Sequence, residues 1–189
     1  MNIAKLTTLA ALIDERNEVS SRITALTGRP AQIGHLGEFI AAEVFDIALE
    51  QSATNKGFDG RFRTGPLAGK TVDVKWYPKR EGIVDLRLRD LPDFYLVLAG
   101  PISPPASSRD EARPWLIEGL YLFDARALVD SVASRGIRVG IATSVASEYW
   151  QAAEVFPRSL CPTFELQPDQ FAALALFSRS QADERDPSR

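Results

Sequence analysis

From position 56 to position 88 apolar and polar residues alternate around turn-forming glycines and prolines, and a chain patterned this way is committed to short strands. The segment reads Lys56-Gly-Phe-Asp-Gly-Arg-Phe-Arg63, a turn from Thr64 to Gly69, then Lys70-Thr-Val-Asp-Val-Lys-Trp-Tyr-Pro78. Side chains on a strand repeat their direction every second residue. Asp73 and Lys75 therefore share one face, and Val72, Val74 and Trp76 share the other. Gly65, Pro66 and Gly69 supply hairpin chemistry. A turn centred on Pro66 sets Asp59 directly across from Asp73, whereas a one-residue slip would put the two acids on opposite faces. A second loop, Pro78 to Gly82, leads into Ile83-Val-Asp-Leu-Arg-Leu-Arg89. Centred on Arg80, it sets Asp85 opposite Lys75 and Arg87 opposite Asp73. The expectation is a three-strand meander with Asp59, Asp73, Lys75, Asp85 and Arg87 on one face.

Charge is concentrated in the same stretch. Between Lys56 and Arg89 nine Lys/Arg stand against four acids, whereas the whole chain is net −3, which leaves −8 elsewhere. A basic field on an acidic body attracts a polyanion to one face and limits adhesion elsewhere. Lys56, Arg61, Lys79, Arg80 and Arg87 are the candidate nucleic-acid contacts.

At 189 residues and 45% hydrophobic composition the chain suits one domain with a sizeable core. Three regions are expected: an N-terminal helix over 1–27, one domain over 28–178 and a disordered tail over 179–189. One cysteine, Cys161, excludes an intrachain disulfide, and with one histidine it cannot furnish a His/Cys zinc site. That composition, with no apolar leader and no run long enough to span a bilayer, points to the cytoplasm and away from the membrane.

The N-terminal helix carries Ile3, Leu6, Leu9, Leu12, Ile13, Val19, Ile23 and Leu26 as a stripe that either folds back on the domain or pairs with a second copy in a homodimer. Gly28 and Pro30 end it. A second helix is expected over 33–51, with Leu36, Ile40, Val44 and Ile47 on one face. Glu38 lies off that stripe, beside the small residues Ala41 and Ala42. Taken alone it reads as a solvated glutamate, and His35 as an interior or first-turn histidine. Further on, Phe94 to Ala99 is apolar throughout, like a strand buried on both faces, and pairs with a strand over 115–123. Residues 101–114 form a long proline-containing loop. Helices are expected from Asp124 to Ser134, from Ala146 to Phe156 and from Pro168 to about Ser178. Residues 137–145 read equally as strand or extended coil.

Two carboxylates facing each other across a strand pair offer a hard cation its oxygen ligands, with water and substrate phosphate completing the shell. Lys75 beside them could orient or deprotonate a water, or neutralise charge on a pentavalent phosphorus. Metal-assisted phosphodiester hydrolysis is the reaction class these groups suit. Read singly, Asp59 is also a plausible turn aspartate, and Asp73 and Lys75 a solvated ion-paired strand face.

The series Gly37-Glu38 on a helix, Gly57-Phe-Asp59-Gly60, then Asp73-Val-Lys75 resembles the PD-(D/E)xK, restriction-endonuclease-like nucleases, especially their small bacterial domains of unassigned function. The likeness covers roughly residues 33–123, with Phe58 standing where the literal motif has proline. It implies an α/β (α+β) fold with a restriction-endonuclease-like core: an αβββ meander, and a mixed central sheet flanked by helices. It also implies that Asp59, Asp73 and the Val74 carbonyl hold Mg2+ or Mn2+, that Lys75 is the catalytic lysine, and that Glu38 is the helix-borne acid, ligating directly or through water. DNA is the implied substrate. The alternative is an inactive member of the same fold that binds nucleic acid or a protein partner.

Overall fold

A computed structural model describes residues 2–50, 57–102 and 113–179. Lys56, most of the expected 101–114 loop and nearly all of the expected tail lie outside the described residues.

Six strands form one mixed sheet in the order β1-β2-β3-β5-β6-β8. These are β1 (Ile47–Leu49), β2 (Gly60–Phe62), β3 (Thr71–Tyr77), β5 (Phe94–Ala99), β6 (Gly119–Asp124) and β8 (Glu154–Phe156). Helices α2 (Ile33–Phe45) and α5 (Pro168–Ala175) cover the face presenting Val72, Val74, Trp76, Leu96 and Leu98. Helices α3 (Ala125–Ser134) and α4 (Ser147–Ala153) cover the face presenting Tyr95, Val97, Tyr121 and Phe123. This is a mixed α+β architecture with helices on both sides of the sheet.

The first hairpin has the expected register: Gly60 pairs with Val72 and Arg61 with Thr71. Regular pairing ends there: the Asp59 N–H donates to the Val72 carbonyl at 2.9 Å, one residue out of that register, so Asp59 sits where the expected ladder breaks. β1 packs close on β2 because Gly60 lacks a side chain; a Cβ there would fall 2.6 Å from the Ala48 carbonyl oxygen.

The remainder of the expected meander is corrected. The segment after Pro78 does not pair with β3. Its strand β4 (Ile83–Val84) joins β7 (Thr143–Ser144) in a separate two-stranded sheet, so Asp85 and Arg87 are not laddered against Lys75 and Asp73. The free edge of β3 is taken instead by β5, in parallel. Burial decides this: Phe94–Ala99 is apolar on both faces and fits a central position, whereas the alternating segment after Gly82 has only one face to bury. The antiparallel meander exists one strand earlier, as β1-β2-β3. The helix expected to reach residue 51 ends at Phe45, where Asp46 turns left-handed at φ 52°. The Asp46 carboxylate is held there by Arg63 Nη1 at 3.3 Å and Thr64 Oγ1 at 3.0 Å. Ile47, expected on the helical stripe, opens β1.

Two other boundaries move. The expected 115–123 strand begins only at Gly119, pairing with β5 as foreseen. The expected 146–156 helix stops at Ala153, and the buried Glu154–Phe156 becomes edge strand β8 against β6. Helix α1 (Ile3–Thr27) forms as expected between the Asn2 cap and left-handed Gly28, but none of its residues is buried. Among the described residues no helix is long and apolar enough to cross a membrane.

Candidate functional site

The site lies in the notch where β2 leaves β3. Val72 bonds toward β2 through its carbonyl, so Val74, two residues on, directs its N–H and C=O to the same side. No β2 residue pairs with Val74. The Asp59 carboxylate fills the gap instead: Val74 N–H donates to Asp59 Oδ2 at 2.7 Å. The Val74 carbonyl faces the same opening.

Asp73 is 3% exposed. Its Oδ1 accepts a hydrogen bond from Lys75 Nζ at 2.8 Å. Its Oδ2 is buried and accepts none; the nearby cation, Arg87, holds its Nε 3.9 Å away on an exposed side chain. Lys75 itself is largely buried, with Nζ 5.6 Å from the Tyr95 ring centroid. A buried carboxylate oxygen without a donor is costly, and here a second carboxylate stands close by. Burial first, and then the charge of Asp73, push Asp59 from 3.8 up to about 7. Glu38 adds in the same sense, while the Val74 N–H and Lys75 oppose. The recess thus holds more acid than its lysine neutralises.

Glu38 is brought to the margin of this recess by close helix packing. Gly37 rides directly on Trp76, where a Cβ would sit 3.1 Å from Trp76 Cβ. The Glu38 carboxylate is engaged by Arg29 from the α1–α2 connection, and His35 Nδ1 lies 3.8 Å from its other oxygen. Arg29 carried no signal in the sequence, because it sits in a linker after the helix-ending glycine. Tyr77 and Tyr95 were legible but unused. Tyr77 shares the Asp73/Lys75 face by strand period, and Tyr95 is Asp73's neighbour on β5. Their hydroxyls accept from Asp85 N–H at 2.9 Å and Arg87 N–H at 3.1 Å, fixing the 85–87 segment over the acids.

The acids converge, yet among the described residues no three Asp, Glu, His or Cys side chains form a group that could hold a metal ion. In this arrangement Glu38 is tied to Arg29, Asp73 to Lys75 and Asp59 to Val74. Asp59 meets Val74 in the notch, and the buried Asp73 carboxylate lies close enough to raise the Asp59 pKa.

Among the described residues, the expected nucleic-acid contacts lie in different surroundings. Arg61 is exposed on β2, its guanidinium 4.8 Å from the Phe58 ring, and Arg87 overhangs Asp73. Lys79 is half-buried. Arg80 turns away, lying over Tyr121 and Trp150 at 5.2 and 5.0 Å. Comparison with known protein families finds no model that matches this chain, and comparison with curated proteins finds no match either.

Proposed function

We propose that this protein is a metal-dependent nuclease with a restriction-endonuclease-like core, hydrolysing phosphodiester bonds in DNA in the cytoplasm. The observation that carries the reading is the buried, donorless oxygen of Asp73, whose charge raises the pKa of Asp59 and which sits beside Lys75. It supports a cation-binding role, because a charge-deficient pair of carboxylates is stabilised by a hard divalent ion. The helix-then-three-strand order α2-β1-β2-β3, with Glu38, Asp59 and the Asp73/Lys75 pair spaced along it, supports the same core.

Asp59, Asp73 and the Val74 carbonyl are the groups that would hold Mg2+ or Mn2+. Two carboxylates, with water and substrate oxygens, match the Mg2+ preference. The ion would polarise the scissile phosphate and lower the pKa of the attacking water. Lys75, held by Asp73, orients that water and offsets charge as the pentavalent phosphorus forms. Glu38, paired with Arg29 at the margin of the recess, would be the residue to reach the ion through water. Arg61 and Arg87 bind flanking phosphates.

Incubation of linear, circular and branched DNA with Mg2+ or Mn2+ is expected to show cleavage that Asp73→Asn and Lys75→Ala each abolish. Cleavage unimpaired in both variants would remove the assignment.

The engagement of Glu38 by Arg29 favours one rival, a noncatalytic domain of the same fold that binds nucleic acid or protein. That reading requires salt-sensitive binding without turnover, and no rise in melting temperature with Mg2+. In either case we assign α1 to homodimerisation, since every member of its apolar stripe except Ile23 is exposed.

A further inference from the structure

Strands β3 and β5 are parallel, and both leave the sheet at the same end. Arg80 N–H bonds the Pro101 carbonyl there at 3.0 Å, and Arg80 bridges Ile102. Crevices outside the carboxyl ends of parallel strands are where open sheets receive ligands. Here the crevice is a cavity of about 450 Å3, within the range of small-molecule sites. Its lining includes Arg80, Arg158, Arg179, Glu118, Glu154 and Tyr121.

The charges in this cavity are unevenly matched. Glu154, 2% exposed, is neutralised by Arg158, which donates from Nε at 2.8 Å and Nη2 at 2.6 Å. Glu118 accepts the Arg179 backbone N–H at 2.8 Å, and the Arg179 guanidinium makes no hydrogen bond among the described residues. Arg80 is half-buried over the edge-to-face Tyr121 and Trp150 rings, and its guanidinium makes one hydrogen bond among the described residues, to the Tyr121 hydroxyl at 3.4 Å. Neither Arg80 nor Arg179 has a carboxylate partner among the described residues. Two aromatic faces thus fix a guanidinium whose remaining N–H groups are unspent. Such a preorganised fork suits an anion with several acceptor oxygens. The net balance of the lining is one positive charge.

We propose that this cavity binds a phosphoryl group, carried by a nucleotide or by a nucleic-acid strand, on Arg80 and Arg179 with Arg158 as the third donor. The site is separate from the Asp59/Asp73 recess and does not require it to be catalytic.

The test uses the full chain in EDTA, titrated calorimetrically with a deoxynucleoside monophosphate and with a short oligonucleotide, with and without a 5′-phosphate. Binding is expected to fall by about tenfold or more in Arg80→Gln and in Arg179→Gln, the usual cost of one charge-assisted contact, and to persist in Asp73→Asn. Arg179 is exposed near the end of the described chain, so its variant folds even where Arg80→Gln does not. Binding of the mononucleotide would identify a free nucleotide as the source, and binding of only the phosphorylated strand a strand end. Equal binding of both strands, still dependent on Arg80, would identify an internal phosphate. The proposal is overturned if no probe binds, if both arginine variants bind undiminished, or if Asp73→Asn abolishes binding.

Discussion

Asp73 and Lys75 form a largely buried pair, so removing one partner has a different consequence from removing both. Lys75→Ala strands a carboxylate that is already short of donors, at a cost of roughly 3 kcal/mol. Asp73→Asn/Lys75→Ala removes both charges and should recover most of that loss in urea unfolding; an additive double variant would show that the pair is not coupled. Asp59 gives a second expectation. Its folded pKa is about 7 against an ordinary 3.8, so between those values the folded state keeps a proton that the unfolded chain has released. The Asp59 contribution to metal-free stability therefore falls as pH rises from about 4 to about 7, with the loss complete above that range. Asp59→Asn should flatten this slope, and thermal melts at pH 4 and pH 8 would show it. All three residues were legible in the sequence because a period of two and a Pro66-centred turn are local facts. Arg29 was not, since its partnership with Glu38 depends on how two helices meet.

At the scale of elements, the sequence was readable wherever one local signal acted alone and misleading where two segments competed for one place. Residues 83–89 alternate cleanly enough to be a third strand. They lose the edge of β3 to Phe94–Ala99, a contest that no single segment reveals. Ile47 continued the helical stripe by spacing, but the left-handed turn at Asp46 depends on Arg63 and Thr64, which are distant in sequence. The displaced segment still reaches the acids because Tyr77 and Tyr95 tether it. Tyr77→Phe and Tyr95→Phe should each cost about 1 kcal/mol. Amide hydrogen exchange should quicken at Asp85 and Arg87 respectively. Unchanged exchange at both would show that the tether is not what holds the segment.

For the molecule as a whole, α1 contributes no buried residue to the core. It is 25 residues long with none buried, and Leu9, Leu12, Val19 and Leu26 are all about half exposed or more. These four lie at spacings of three and seven, completed by Ile23, which packs partly on the core. That spacing makes a seam for another helix, interrupted only by Arg16. An isolated helix gains little from propensity, so a face like this is stabilised chiefly by being covered. The acidic body disfavours indiscriminate association, so the seam must supply the specificity of any pairing. Leu9→Glu/Leu12→Glu places charges on the seam without touching a buried residue. The expected result in sedimentation equilibrium is a dimer for the parent chain and a monomer for the double variant, with the unfolding of the sheet domain unchanged. A parent chain that is monomeric at all concentrations would exclude the pairing.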